Sequence, residues 1–399
     1  MSKPRIAILG SGPTGLEAAL AAAEAGHPFT LYEAAPSVAG NVRAWGHVHL
    51  FTPWEMNVSP RMRRHLEAAS HSVPDGDDYP TGNDLAAHLL EPLAALPEIA
   101  PNLRLGTRVI GIGRQGLLKH EEIATAERNR HPFRILLTEG SGREWTEEAD
   151  VVIDASGTWG NPNSLGDGGI PAPGERALDG RIRRDIPDFN AERNKWAGRT
   201  VFLAGAGHSA QTAVRALAEL AKEAPETRVI WALRNPDPSW GTHEGDPLPS
   251  RAALAATAAD LAAGASPAVE TRRGVVIEQI TQPNDRFEVT LRNGAGPERI
   301  AVDRILALTG AVGDHSLYRQ LQVHECYATC GPIKLAGALL GAGNADCLAQ
   351  TTHGADTLTN PEPNFFILGA KSYGRNNTFL MRVGWEQVGE VFGLLEGQT

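Results

Sequence analysis

Apolar and polar positions fall into blocks along the first thirty residues. A short apolar run, residues 5–10, leads into a cluster of glycines. The Ala- and Leu-rich stretch Leu16–Ala25 follows, and a second apolar run, Pro28–Tyr32, ends at Glu33. Short apolar runs bounded by glycine read as buried strands, and the longer stretch between them reads as a helix. The pattern predicts a strand–helix–strand unit of about 30 residues. Further on, a helix is expected over 83–96 with Asn83 as its N-cap. Strands are expected at Leu103–Ile110, Phe133–Leu137 and Val151–Ile153. Residues 157–196 are rich in Gly, Pro, Asn and Asp, the composition of loop and linker. The opening pattern then returns: strand Thr200–Leu203, turn Gly205–Gly207, helix Ala210–Ala221, strand Val229–Leu233. Another buried strand is expected at Ile305–Leu308. The chain closes with strand Phe365–Leu368, a polar loop, and a helix over 379–395. The fold class is α/β, and no repeat is evident beyond the two strand–helix–strand units.

The glycines between the first strand and helix read Gly10-Ser11-Gly12-Pro13-Thr14-Gly15, with Glu33 18 positions after Gly15. Each glycine has its own task in a dinucleotide site. Gly10 permits the tight turn, Gly12 lets a pyrophosphate approach the backbone, and Gly15 lets helix and strand pack closely. Pro13 and Thr14 open a helix whose free N–H groups and positive dipole end would face the phosphates. Glu33 is placed to accept hydrogen bonds from ribose hydroxyls. The second unit carries Gly205-Ala206-Gly207-His208-Ser209-Ala210, with alanine for the third glycine. No acid ends its second strand; Arg234 stands there instead. A carboxylate would repel a 2′-phosphate, whereas a guanidinium grips one, so NADPH is expected over NADH. A solvated loop arginine would read the same.

Composition adds exclusions. The chain has 399 residues, 42% hydrophobic and 21% charged, enough for two or three domains. Its net charge of −10 argues against a nucleic acid as the main partner. No apolar run reaches the roughly 18 residues of a spanning helix, and the Ala-rich stretch Ala252–Ala265 carries Asp260. The first strand begins almost at residue 1, leaving no room for a cleaved leader. Three cysteines, Cys326, Cys330 and Cys347, fit a reducing compartment better than a disulfide framework. Together with His324 they match no standard zinc spacing, and no metal is expected. A cytoplasmic protein with a small-molecule substrate and no membrane partner is expected; a homodimer is left open.

Two nucleotide units about 190 residues apart give the chain a resemblance to flavoproteins with paired Rossmann-like dinucleotide-binding domains. These include flavin-containing and Baeyer–Villiger monooxygenases, N-hydroxylases and thioredoxin-reductase-like enzymes. The resemblance implies FAD in the first unit and NADPH in the second. It implies an FAD domain over 1–157, an inserted NAD(P)H domain over 158–309, and a return to the FAD domain over 310–399. Asp154-Ala155-Ser156-Gly157 resembles the first crossing between such domains, and Leu308-Thr309-Gly310 the return. Val109 falls where the family offers backbone to adenine. Arg234 matches the first arginine of the reductases' phosphate-binding pair, and Asn235 departs from the second. Asn57 lies where monooxygenases keep an asparagine beside the flavin, a weak catalytic candidate. Gly369-Ala370 stands where reductases place a Gly-Asp pair against the flavin. The acid is missing, which leaves backbone N–H groups or Lys371 to face the flavin.

The departures divide the functional expectation. The monooxygenase fingerprint FxGxxxHxxx(Y/F/W) would lie at Pro187–Trp196, where Phe189 is kept but Ala191 and Lys195 replace its Gly and His. No cysteine pair lies at either place used by the disulfide reductases. Cys326 and Cys330 form a CxxxC after the return crossing. The resemblance implies hydride transfer from NADPH to flavin N5, then oxidation by O2 with oxygenation of a small substrate. The alternatives are reduction of a disulfide, quinone or other acceptor, and a flavin-based redox sensor or binding module. The histidines His47, His49 and His243 are assigned no role.

Overall fold

The computed structural model describes residues 3–241, 248–342 and 352–397. His243 and Cys347 lie outside them. Along the chain, β1 (Ile6–Leu9), α1 (Pro13–Glu24) and β2 (Phe29–Tyr32) form the first unit. Then come β3 (Leu103–Arg104), β4 (Thr107–Arg114), β5 (Phe133–Glu139), β6 (Glu144–Ala149) and β7 (Val151–Asp154). The second unit is β8 (Thr200–Ala204), α2 (His208–Glu223) and β9 (Arg228–Leu233). It continues into β10 (Val269–Arg273), β11 (Val276–Thr281), β12 (Phe287–Asn293), β13 (Gly296–Val302) and β14 (Arg304–Ala307). The chain ends with β15 (Phe365–Ile367) and α3 (Met381–Gly397).

Two compact units divide the chain, 1–161 with 312–399 and 162–311. Unit 1 holds a parallel sheet in the order β15-β7-β1-β2-β3, and unit 2 a parallel sheet in the order β10-β9-β8-β14. Each unit also carries a three-stranded antiparallel meander, β4-β5-β6 in unit 1 and β11-β12-β13 in unit 2. The internal repeat is therefore longer than its sequence signature: sheet plus meander, twice.

The central strands are mostly apolar, and β1 is so at every position, because both faces are covered. In β1, Ile6 and Ile8 pack with Leu16 and Leu20 of α1 and Val388 and Val391 of α3. Ala7 and Leu9 point to the other face, against Ile112, Phe133, Ile135 and Leu137 of the meander. In unit 2, Phe202, Ile230 and Ile305 pack against Phe287, Val289 and Leu291 in the same way.

Two local expectations change. The helix after residue 80 begins at Gly82, and its N-cap is Thr81, not Asn83. Thr81 and Asp84 form a reciprocal capping box, which satisfies two free donors where Asn83 would satisfy one. The strand expected over Leu103–Ile110 is two strands, broken by Gly106 at φ +63°. Phe189, the one aromatic kept from the altered fingerprint, is buried and stacked edge-on against the buried Trp196, with centroids 5.4 Å apart. They serve packing.

Candidate functional site

The two glycine turns are built alike, and the space around each glycine shows why. A Cβ on Gly15 would lie 1.8 Å from the Gly10 carbonyl oxygen, so α1 and β1 meet too closely for any side chain. A Cβ on Gly10, at φ +95°, would meet the Ala155 oxygen just past β7 at 2.8 Å. A Cβ on Gly12 would meet nothing within 4 Å. In unit 2 a Cβ on Gly205 would lie 2.1 Å from the Leu308 oxygen just past β14, while Gly207 again faces open space. The first glycine of each turn is fixed by a neighbouring strand; the middle one leaves room for a ligand.

The helices that follow are poised for an anion. Gly12 caps α1 and Gly207 caps α2, neither with a side-chain hydrogen bond, and neither first turn contains an acid. By contrast, Ser59 and Thr81 cap their helices with side-chain oxygens. Uncapped N–H groups at the positive end of a helix suit a pyrophosphate. Thr14 lies in the first turn of α1, where Gly369 and Gly384 press on it: a Cβ at either would come within 2.9 Å of its hydroxyl. His208 and Ser209 are the first two residues of α2.

Glu33 is buried, and its carboxylate is engaged with the turn itself. One oxygen accepts from the Ser11 N–H at 2.9 Å and the Ser11 hydroxyl at 2.7 Å; the other accepts from the Ala35 N–H at 2.9 Å. Glu33 thereby holds the glycine turn in shape. A carboxylate has about four acceptor sites, so one remains for a ribose hydroxyl.

Lys371 departs from the expected role. Its side chain is fully buried and its ammonium donates to Asp154 Oδ2 at 2.6 Å, to the Asp314 carbonyl at 2.6 Å and to Ser156 Oγ at 3.3 Å. Three protons meet three protein acceptors, which leaves none for a flavin. The Gly369 N–H is likewise taken, by Gln387 Oε1 at 2.8 Å. Beside this pair, burial and then the Lys371 charge push the His315 imidazole down to about 4. Its Nδ1 lies 2.8 Å from the Tyr318 hydroxyl. Burial pushes the Asp314 carboxyl up, but hydrogen bonds from Ser316 and the Lys371 charge bring it below the ordinary range.

A cavity of about 280 Å³ opens beside the first glycine turn. Pro13 lines it, with Trp45, Leu50, Met56, Leu85 and Phe379 among its apolar walls. Asn57 also lines it, but its amide is spent on its own loop. Nδ2 donates to the carbonyls of Thr52 at 2.8 Å and Pro53 at 2.9 Å, and Oδ1 accepts from the Thr52 hydroxyl at 2.7 Å. Asn57 shapes the wall and has no proton left to donate. No described cysteine lines the cavity. The side chain of Val109 points into the core between sheet and meander, beside a bulge at residue 110. Gly157 and Gly310 both take positive φ, +73° and +81°. Arg234 is exposed immediately after β9, with no ion pair among the described residues.

The family model for pyridine nucleotide-disulphide oxidoreductases matches residues 4–326. The chain belongs to that family. It is an FAD-dependent oxidoreductase that uses a pyridine nucleotide. The bacillithiol disulfide reductase of Bacillus cereus superposes with TM-score 0.71 at 18% identity, covering 100% of both chains. The thioredoxin reductase of T. acidophilum gives TM-score 0.61 at 13% identity, again over 100% of both chains. The ornithine N-hydroxylase of Kutzneria sp. 744 gives 0.62 at 14%, with the same coverage. At such identities the likeness is one of fold, and it embraces reductases and oxygenases alike. No curated protein matches the sequence significantly. Among the described residues, no helix is long and apolar enough to cross a membrane.

Proposed function

We propose that unit 1 holds FAD and unit 2 holds NADPH, and that the enzyme oxidises NADPH and oxygenates a small, largely apolar substrate. Open space at Gly12 and Gly207, each at an uncapped helix start, supports the two nucleotide sites. In unit 1, the N–H groups of Gly12 and Thr14 would bind the FAD pyrophosphate, with Pro13 opening the helix between them. Glu33 braces the turn and would accept one ribose hydroxyl. Val109 would offer backbone to the adenine, and Gly157 and Gly369 would let the chain pass close to the cofactor. In unit 2, Gly205, Gly207, His208 and Ser209 would bind the second pyrophosphate, with Gly310 at the return crossing. Arg234 would take the 2′-phosphate. Bound FAD supplies a two-electron carrier, and the protein's task is to position both nucleotides and exclude water.

The observation that carries the oxygenase reading is the apolar cavity beside Pro13, with no described cysteine in its wall. Trp45, Leu50, Met56 and Phe379 would give a small substrate an apolar wall, and oxygen chemistry on a flavin requires that water be kept out once substrate is bound. Asn57 fixes the loop that carries Met56. A protein dithiol at this place would favour a disulfide acceptor instead.

One observation favours the reductase reading. Cys326 and Cys330 are free thiols on a turn closed by a 2.8 Å hydrogen bond from the Cys330 N–H to the Cys326 carbonyl, and Tyr327 between them is 98% exposed. Free thiols also suit a reducing, cytoplasmic setting. Substrate-dependent NADPH oxidation measured with and without oxygen separates the readings. Turnover should require oxygen and survive replacement of both cysteines by serine. Anaerobic turnover with a disulfide, lost in the Cys326→Ser/Cys330→Ser protein, would establish the reductase. Slow turnover with every acceptor would point to a sensor.

A further inference from the structure

The second nucleotide site has a gap in sequence. Arg234 stands where the first phosphate-binding arginine is expected, and the neighbouring position is Asn235. The fold brings up another cation at the same level. Strand β10 runs parallel to β9, and its last residue, Arg273, is in register with Leu233, the residue before Arg234. Adjacent strands lie about 4.8 Å apart. The two arginines therefore leave the same end of the sheet from neighbouring strands, at the edge where α/β sheets bind ligands. Both are exposed.

Arg273 is held but not neutralised. Its neighbour Arg272 is paired with Glu270 and Glu298. Arg273 instead donates to two backbone carbonyls, Pro236 at 3.2 Å and Ala262 at 3.3 Å. Two of five N–H donors are used, both in long bonds, so three remain. No carboxylate pairs with it among the described residues. Its guanidinium carbon lies 6.0 Å from the centroid of the Trp240 ring.

The loop between these arginines is tied to the glycine turn. Gln211, buried in α2, donates through Nε2 to Ala206 O at 2.9 Å and to Trp240 O at 3.0 Å. Ala206 is the middle of Gly205-Ala206-Gly207, so one amide joins that turn to the loop after β9. Trp240 itself sits at φ +58°, a conformation that a bulky residue rarely adopts. A side chain held there marks a loop whose shape is imposed by its surroundings. Phosphate-binding turn, loop and Arg273 thus form one braced assembly inside unit 2.

We infer that Arg273 is the second half of a clamp for the 2′-phosphate of NADPH, supplying from β10 the guanidinium that Asn235 lacks. Two guanidinium groups at the end of one sheet select a dianionic phosphate far more strongly than one exposed arginine does. The inference rests on unit 2 being the NADPH site. The test is calorimetric titration of the FAD-loaded protein with 2′,5′-ADP and with 5′-AMP, which differ by the 2′-phosphate and need no turnover. Wild type should bind 2′,5′-ADP the more tightly. Arg273→Ala should weaken 2′,5′-ADP by roughly ten- to a hundredfold, the worth of a charge-assisted phosphate contact, and leave 5′-AMP unchanged. Arg273→Gln keeps donors for the Pro236 and Ala262 carbonyls, and should show the same phosphate-specific loss. Equal weakening of both ligands in the Ala and Gln proteins would make Arg273 a loop brace and overturn the inference. So would full retention of 2′,5′-ADP affinity with Arg234→Ala alone removing the preference. If wild type bound neither probe, the assignment of unit 2 would itself have failed, and the clamp with it.

Discussion

Replacing Lys371 with methionine should damage the fold of unit 1 and not the flavin's electronic environment. Lys371 and Asp154 are both completely buried, with 2.6 Å between ammonium and carboxylate. Methionine fills similar space but leaves Asp154 with an unpaired buried charge. Removing one partner of such a pair costs about 3–5 kcal/mol. For a unit of this size, about 2–4 °C accompanies each kcal/mol, so the melting temperature should fall by roughly 6–20 °C. Asp154→Asn/Lys371→Met removes both charges and should recover part of the loss. A coupling energy of about 2–3 kcal/mol is expected from the cycle. The assay is denaturation of all four proteins at saturating FAD, with the visible flavin spectrum recorded on each. The reasoning fails if Lys371→Met melts within a degree or two of wild type while shifting the flavin bands. That result would put the ammonium against the flavin.

Gly12 and Gly15 should fail in different ways. Gly12→Val should fold normally, because a side chain there meets nothing within 4 Å, and should purify without colour if that open space is where the proposed pyrophosphate binds. Gly15→Val should be destabilised by about 3 kcal/mol or more, because its Cβ would lie 1.8 Å from a backbone oxygen; equal folding and equal flavin content in the two would refute the distinction. His315 sets an acid limit. Its folded value near 4 lies below the unfolded value near 6.5, so its contribution is complete above about pH 6.5 and is lost as pH falls toward 4. The loss is about 3 kcal/mol, and a His315→Gln protein should lack that part of the slope in denaturation midpoints taken from pH 7 to 4. Arg234→Ala should raise the apparent Km for NADPH about ten- to a hundredfold and leave NADH unaffected, measured by steady-state flavin reduction; equal losses would mean that Arg234 supports the fold.

Legibility in the sequence followed physical constraint. The parallel strands could be read because burial on both faces leaves them almost continuously apolar, as in Ile6–Leu9 and the Val151–Ile153 run of β7. The glycine turns could be read because close backbone approach excludes other residues. The meander strand Glu144–Ala149 carries no such signal, since five of its six residues are exposed or half-exposed and its charges resemble a loop. Side-chain roles were harder still. Lys371 and Asp154 are 217 positions apart, and nothing local to either announces the other. Arg273 becomes a neighbour of Arg234 only once β9 and β10 pair in parallel register. The capping box at Thr81 and Asp84 had a local signature, Thr-x-x-Asp, that points two residues earlier than Asn83 does.

The central claim is that the first glycine turn binds FAD. The direct measurement is the identity of the flavin released when the purified protein is denatured, separated by chromatography from standards. The protein should be yellow and release FAD, because Gly12, the uncapped start of α1 and the spare acceptor on Glu33 together suit a pyrophosphate and an adenosine ribose. Release of FMN would contradict the account, as would a colourless protein that cannot be reconstituted with FAD.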